Sequence, residues 1–557
     1  MTGLAPDVDV VDVDDVDVVI VGGGPTGLTA AHLCREVGLS AIVLEQREGP
    51  QRSPAAHAIN ARTFEIWRQA AVDMAPVLAA ALSPDEAGLV HWVTKLGGEV
   101  IGTLPYERQS DEMLAITPTP LRNLSQHRLE PLLLTPELDV RYSHRWLSAT
   151  ETATGVSVEA LGPDGPRRVN AKYLLGADGA ASSVRRSLGI EMIGPRSLQS
   201  FVMVHLAADF RPLVGPAPGV LYFVVDPASG GTFISHGRDR EWVYMHAWDP
   251  VAQPGEALTV EHCTALVRAA IADWDAPFDV LSVGTWHMSA QIADRYRRGR
   301  TLLVGDAAHR FPPTGGLGLN TGVADVHNLL WKLAAVEAGW LDLSSLDTYE
   351  SERKPVARFN CDQSMHNAFK LIEIPMALGV TADVAESTAA MHSILADPVG
   401  RAGVEAAIAN QAIHFDLLGL QLGHSYSGPL VIDDGSDVIV LAEPARDYVP
   451  STRPGGRLPH AWLPDGRSTL DLVDICVPTI LVREGAPPGE IGQPCVIVPC
   501  AAVVWGNTFG LDGDQCLIVR PDQHVAYRGP ISGSAAAFAA LFGVRSVGSV
   551  SRHDVTL

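Results

Sequence analysis

The sequence predicts an α/β protein of several domains, in which a parallel-sheet part is interrupted by an antiparallel sheet and followed by helical and mixed segments. Three observations predict it. Val18-Val19-Ile20-Val21 is an unbroken β-branched run, the pattern of a strand buried on both faces, and it enters Gly22-Gly23-Gly24-Pro25-Thr26-Gly27. Between Ser200 and Trp248, short β-rich runs are separated by Gly, Pro and Asp turns, as in an antiparallel sheet. At Thr301-Leu302-Leu303-Val304 the buried-strand pattern returns and leads through a Gly/Pro loop into a long helical stretch.

Length and composition bound the reading. The 557 residues make about three to four typical domains. With 46% apolar and 19% charged residues, the chain builds sizeable cores. Its charge sum, 41 − 64 = −23, argues against nucleic acid or an anionic membrane as partner. Arg outnumbers Lys 36 to 5, a bias that suits a GC-rich genome rather than a chemistry. The seven cysteines (34, 263, 361, 476, 495, 500 and 516) contain no C-x-x-C and no zinc spacing, so no metal is expected. Cys495 and Cys500, the close pair, read as isolated core thiols. The N-terminus lacks a basic region followed by an apolar one, so no secretory signal is expected and the Asn123 sequon carries no weight. The uncharged run from Ile491 to Leu511 is interrupted by prolines and glycines and reads as strands and turns, not as a span. A soluble, cytoplasmic protein is expected.

The elements follow in order. Residues 1–16, where Val and Asp alternate, read as a flexible acidic lead-in, with order from Asp17. After the first strand and glycine loop, a helix from Leu28 to Val37 closes at Gly38, and a second strand, Ala41 to Leu44, ends at Glu45. The antiparallel sheet is expected from runs at 201–207, 220–225, 232–235 and 242–248, with a helix around 258–272. The long helix is expected from Thr321 to Ala338, with Val323, Val326, Leu330, Leu333 and Val336 at helical spacing. Predicted domains are 17–190 plus 296–365, with a part near 90–120 joining the antiparallel sheet domain at 191–295. A helical segment at 366–428 and a terminal module at 429–557 complete the chain.

The chemistry begins in the glycine loop. Gly22-x-Gly24-x-x-Gly27 follows a buried strand, opens a helix, and has an acid, Glu45, 18 residues after its last glycine. Gly22 permits the tight turn, Gly24 lets backbone approach a pyrophosphate, and Gly27 lets helix and strand pack closely. The helix N-terminus adds N–H donors and positive dipole. Glu45 accepts from the ribose hydroxyls of an adenosine. No second such fingerprint follows a strand, which implies one tightly held dinucleotide.

Two further stretches complete a pattern. Tyr173-Leu174-Leu175-Gly176-Ala177-Asp178-Gly179 is a strand ending in an Asp-Gly turn, with Ser182-Ser183-Val184-Arg185 beyond it. Thr301-Leu302-Leu303-Val304-Gly305-Asp306-Ala307-Ala308-His309 runs into Pro312-Pro313-Thr314-Gly315-Gly316-Leu317-Gly318-Leu319-Asn320. With all three motifs in this order, residues 17–360 resemble the single-component (class A) FAD-dependent aromatic hydroxylases of the p-hydroxybenzoate hydroxylase fold. Smaller matches are Asn60-Ala61-Arg62-Thr63-x-Glu65, Ser125-Gln126-x-x-Leu129-Glu130 and Tyr349-x-x-Glu352-Arg353-x-Pro355. Leu418 to Gly423 and Gly456 to Trp462 resemble the phenol and aromatic polyketide hydroxylase branch, which carries a C-terminal thioredoxin-like domain. The full fold class is therefore α/β with a Rossmann-like FAD-binding domain, an antiparallel-sheet substrate domain, a helical segment and a thioredoxin-like domain without C-x-x-C.

The resemblance implies roles. Gly22, Gly24, Pro25, Thr26, Gly27, Glu45, Gln46, Arg47, Gln126, Asp178, Gly179, Gly305, Asp306, Gly318, Leu319 and Asn320 are expected to hold FAD. Asp306 is expected on the ribityl chain, and Gln126 near the phosphates or ribityl. Asp178 and Gly179 are expected to support FAD and transient NADPH or NADH, although a plain β-turn reads the same residues. Gly318 to Asn320 are expected to present N–H groups to the flavin pyrimidine edge from a helix N-terminus, which stabilises negative charge. Pro313 is expected to offer its carbonyl to substrate. Where the family has arginine this chain has Ala55, and Arg52 or His57 are the candidate replacements. Tyr222, Phe223, His236, Met245 and Trp248 are substrate-pocket candidates, each equally readable as core.

The implied activity is NAD(P)H-dependent monooxygenation of a phenolic or polycyclic, polyketide-like aromatic through a flavin 4a-hydroperoxide, with dioxygen as co-substrate. Baeyer–Villiger or epoxidising chemistry on the same fold is the alternative, and a non-turnover flavin redox sensor a second. The expected partners are a small aromatic substrate and at most a second copy of the chain, with no nucleic acid and no membrane. Since every flavin motif lies upstream of residue 321, a chain ending at Gly428 is expected to bind FAD.

Overall fold

Strand β1, Val13–Val21, runs through the middle of an eight-stranded sheet in the computed structural model, which describes residues 13–215, 218–251, 258–273, 275–486 and 494–543. Ala41–Leu44 (β2) and Gly165–Gly176 flank it in parallel, and Asp139–Arg141 and Thr301–Leu303 extend the parallel set outward. One core joins Val18 to Val21 with Leu28 and Leu33 of helix α1 (Pro25–Glu36) and with Val323, Val326 and Leu330 of the long helix Leu317–Glu337. Cover on both faces is the reason the β1 run does not alternate.

Two boundaries differ from expectation. Residues 1–12 of the acidic lead-in lie outside the described residues, but Val13 to Val16 belong to β1 and pair with Arg168 to Ala171. The 12-residue strand Gly165–Gly176 is long enough to receive them, and Arg141 binds Asp14 at 2.5 Å. The long helix begins at Leu317 rather than Thr321, because Gly315 (φ 119°) and Gly316 (φ 63°) turn the chain into its first residue.

The second sheet has seven strands in the order Asp279–Met288, Gln199–Ala207, Glu241–Trp248, Gly231–Gly237, Leu221–Val224, Leu89–Val93 and Val100–Pro105. Its pairs are antiparallel except Leu221–Val224 with Leu89–Val93. The hairpin at 89–105 thus joins a sheet whose other strands begin only at Gln199. Helix Val260–Ala270 covers one face with Cys263 and Val267, against Val202, Tyr222, Phe233, Trp242 and Tyr244.

Helices Asp347–Lys370, Val384–Ala396 and Pro398–Ala409 follow. The terminal module is a four-stranded mixed sheet, Val496–Cys500, Thr479–Arg483, Gln515–Val519 and Val525–Pro530, flanked by Ala502–Asn507 and Ser534–Phe542. Its Ile480, Cys516 and Ile518 pack against Trp331 and Trp340, so it rests on the long helix. No cysteine among the described residues forms a disulfide. Among the described residues no helix is long and apolar enough to cross a membrane, and no His/Cys/Asp/Glu group is arranged for a metal ion.

Candidate functional site

The glycine loop leaves β1 at Gly22, whose φ of 112° and position against Ala177 exclude a side chain, since a Cβ would lie 2.3 Å from the Ala177 oxygen. At Gly27 a Cβ would meet the Gly22 oxygen at 1.9 Å, which is the close strand–helix contact expected there. Around Gly24 the nearest atom to a Cβ is Glu130 Oε1 at 4.0 Å, so the backbone faces open ground. Helix α1 starts there with Pro25 at its first position and no side-chain cap, leaving its first N–H groups for a ligand.

Carboxylates frame that ground. Glu45 is buried; its Oε2 accepts the Gly23 N–H at 2.7 Å and its Oε1 accepts the Arg47 N–H at 2.8 Å and Nε at 3.1 Å. Burial raises its pKa, but the Arg47 guanidinium and the two backbone N–H groups outweigh it and hold the carboxyl ionised. Arg47 reaches on to buried Glu130 at 3.3 Å, and Glu130 accepts Gln126 Nε2 at 2.8 Å and the Gln51 N–H at 2.6 Å. Glu45, Arg47, Glu130 and Gln126 thus form one chain around the loop, while Gln46 and Arg52 are exposed. Glu130 stood in a motif without a role.

At the neighbouring strand end, Asp178 Oδ2 accepts the N–H groups of Ser183 (2.6 Å) and Val184 (3.1 Å) and so caps helix Ser183–Ser187. Its Oδ1 is buried with no partner among the described residues, and Gly179 is left-handed at φ 74°. Asp306 is accessible to water yet closely surrounded by protein, as a carboxylate lining an interior slot is, and burial raises its pKa. A Cβ on Gly318 would lie 3.8 Å from its Oδ1, so Asp306 and the start of the long helix face one space. Thr26 sits between Gly305 and Gly322, where Cβ atoms would lie 2.9 and 2.3 Å from its hydroxyl. Gly318 and Leu319 fall in the helix's uncapped first turn, with N–H groups free of helical partners. Asn320 instead works through its side chain: Oδ1 accepts Asn60 N–H (3.0 Å) and Thr63 Oγ1 (2.8 Å), and Nδ2 donates to Ala58 O (2.9 Å) and Gly316 O (2.7 Å). The Pro313 carbonyl accepts the Gly316 N–H at 3.0 Å, which leaves it one lone pair.

The second sheet corrects two pocket candidates. Side chains alternate along a strand, so adjacent Tyr222 and Phe223 must point to opposite faces. Tyr222, stacked on His91, and Trp248 lie in the core beneath helix Val260–Ala270 and are not pocket residues. Phe223 and Met245 lie on the other face with Leu221, Thr232 and Ile234, all half-buried; Leu221 and Phe223 pack there against a further core, with Phe223 stacked on Trp92 at 5.1 Å between ring centroids. His236 is the extra residue of a bulge between Ser235 and Gly237, which turns its ring toward the flavin-side segments.

There His236 meets His57 edge-on, with ring centroids 5.7 Å apart, and His127 at 6.4 Å. His127 Nε2 and His205 Nε2 lie 2.9 and 2.8 Å from the same Glu241 oxygen, and Ser125 Oγ lies 2.9 Å from His127 Nδ1. His127, His205 and Glu241 escape sequence reasoning because His127 and Glu241 are 114 residues apart and meet only through the fold. Burial pushes the His57 and His236 pKa values down, so both rings are neutral at pH 7. A neutral His57, held by Asn123 at 3.0 Å, does not replace a fixed arginine cation. A surface concavity of about 610 Å³ lined by Ala207, Asp209, Asp239, Arg240, Arg268 and Asp279 opens where Ala207 pairs with Glu241.

Two uncapped helix starts, an unpartnered buried oxygen of Asp178 and the water-accessible Asp306 fit FAD: donors for a pyrophosphate, acceptors for hydroxyls, and a donor turn for the ring edge. The family profile described as FAD binding domain matches residues 15–364, and one described as aromatic-ring hydroxylase, C-terminal, matches 451–544. Aklavinone 12-hydroxylase of Streptomyces peucetius is 32% identical over 498 residues, covering 86% of this chain and 94% of that protein. Phenol 2-monooxygenase of Pseudomonas sp. strain EST1001 is 30% identical over 562 residues, covering 93% and 90%. The crystal structure of the flavin-dependent monooxygenase PieE, in complex with FAD and substrate, superposes with a TM-score of 0.87 at 30% identity, covering 96% of this chain and 99% of that one. The chain belongs to the FAD-dependent aromatic-ring hydroxylases, a family of flavoprotein monooxygenases.

Proposed function

We propose that this enzyme uses NAD(P)H and dioxygen to place one oxygen atom on a phenolic ring of a polycyclic, polyketide-like substrate. The observation that carries the substrate class is the sheet face bearing Leu221, Phe223, Ile234 and Met245, which is apolar, half-buried and bordered by neutral histidines. Relatives named as aklavinone and polyketide hydroxylases support the same class. FAD, when bound, supplies the redox chemistry that takes electrons from NAD(P)H and activates dioxygen.

The chain's own residues position and shield. Glu45 orients the ribose, the first turn of α1 holds the pyrophosphate, and the first turn of Leu317–Glu337 stabilises negative charge at the ring edge by its dipole. The apolar sheet face excludes water from the reacting ring. His236 Nε2, buried and without a partner among the described residues, is placed to hydrogen-bond a substrate hydroxyl and orient it.

The test is product analysis after feeding a panel of simple phenols and polycyclic phenols and quinones with NADPH or NADH. A polycyclic phenol should gain one ring hydroxyl and stimulate NAD(P)H oxidation at least tenfold, which corresponds to ~1.4 kcal/mol off the barrier. A ring-expanded ester would identify Baeyer–Villiger chemistry instead, and conversion of simple phenols alone would overturn the substrate class.

A further inference from the structure

Beneath the flavin-facing elements lies a buried ion cluster that the reaction does not use. Helix α2 (Ala61–Gln69) contributes Arg62 and Glu65, and the C-terminal module contributes Arg457, Arg520 and Asp522, all with side chains at most 3% exposed. Glu65 pairs with Arg62 at 3.0 Å and Arg457 at 2.5 Å, and Arg520 pairs with Asp522 and with Glu352 at 2.6 Å each. Buried ion pairs add little net stability over apolar packing, and their best-attested use is to fix register.

One line through this cluster reaches the flavin loop. Arg62 Nη1 donates to Gln523 Oε1 at 2.6 Å, and Nη2 donates to the Asp522 carbonyl at 2.8 Å. Gln523 is buried and left-handed, with φ 62°. That conformation is strained for a non-glycine residue and persists where the surroundings over-determine it. The turn is thus held in a disfavoured shape that presents the Gln523 amide to Arg62. On the same turn of α2, Asn60 and Thr63 grip Asn320 Oδ1, and Asn320 Nδ2 ties Ala58 to Gly316 at the start of the long helix.

We propose that Arg62 is a positioning residue through which the C-terminal module sets the donors at the start of Leu317–Glu337, and with them FAD affinity and reduction potential. This rests on the reading of Gly318 to Asn320 as the flavin-edge turn.

The test uses full-length holoenzyme carrying Gln523→Ala, Arg62→Lys, Asn320→Ala or Arg68→Ala. Gln523→Ala leaves every buried charge paired and should fold. Arg68 joins α2 to the same module through Asp471 at 2.7 Å but on the exposed side, which makes it the control. FAD dissociation constants, midpoint potentials and Tm are measured together. Gln523→Ala and Arg62→Lys should weaken FAD roughly fivefold or more and shift its potential. Arg68→Ala should match wild type. If the first two lower Tm yet leave affinity and potential unchanged, the module is merely structural and the proposal falls. A shift in Asn320→Ala alone would leave the loop reading standing without Arg62, whereas no shift in Asn320→Ala would overturn both.

Discussion

Glu45 joins the glycine loop to Arg47 through both carboxylate oxygens. Replacing it with alanine frees the Gly23 N–H and removes the proposed ribose acceptor while leaving the β1–β2 pairing untouched. Losing one or two charge-assisted hydrogen bonds costs about 1.5–3 kcal/mol each, so Glu45→Ala should bind FAD at least tenfold more weakly. Gel filtration after dilution reads this directly, and a mutant as yellow as wild type would contradict it. Glu45 was legible because strand, loop and acid are contiguous in sequence. Its partner Glu130 was not, since nothing local reveals that helix Gln126–Leu133 lies beside the loop.

Among elements, the tightest contact at the site is between α1 and the long helix. A Cβ on Gly322 would lie 2.3 Å from Thr26 Oγ1 and 3.0 Å from the Gly305 backbone, and a backbone cannot swing aside. Gly322→Ala should therefore destabilise by about 1–3 kcal/mol and push Asp306 away from the first turn of the long helix. Thermal unfolding with an FAD titration checks both effects, and an unchanged Tm would contradict the contact. Period-two runs revealed the second sheet's strands, yet not which face each residue takes, because facing depends on where helix Val260–Ala270 docks. The helix start was misjudged by four residues because Gly315 and Gly316 read as loop, while their left-handed backbone is what lets Leu317 begin the helix. The bulge at His236 leaves no trace in an apolar pattern.

For the whole molecule, the buried charges revise the expectation for the chain ending at Gly428. Removing the C-terminal module takes Arg457 from Glu65 and Arg520 from Glu352. It also uncovers the apolar ground around Trp331 and Trp340 on which the module packs, and an exposed apolar patch of that kind drives aggregation. The truncated chain should therefore aggregate or unfold rather than bind FAD, and a soluble, yellow truncation would contradict this. The same pairing holds the Glu65 pKa down at about 2, so its contribution is present above pH 4.5 and is lost as pH falls toward 2. Histidines act sooner. Burial lowers His236, His327, His524 and His414, the last to about 3, so the unfolded chain takes up protons below pH 6.5 that the folded chain does not. Each therefore lowers stability as pH falls below 6.5. Glu107, pushed up to about 8 by burial, and Asp306 oppose them, two groups against nine, since His32, His57, His246, His424 and His460 are lowered as well. Chemical unfolding at pH 5 and pH 7 should show lower stability at pH 5, and equal stability would refute the neutral-histidine assignment.

The central claim is that this fold delivers one atom of dioxygen to an aromatic ring. It is tested most directly by turnover under ¹⁸O-labelled dioxygen, with a parallel reaction in labelled water. The product should carry one labelled oxygen from the gas and none from water beyond exchangeable positions. Label arriving from water would contradict monooxygenation, and hydroxylation and Baeyer–Villiger readings would fall together.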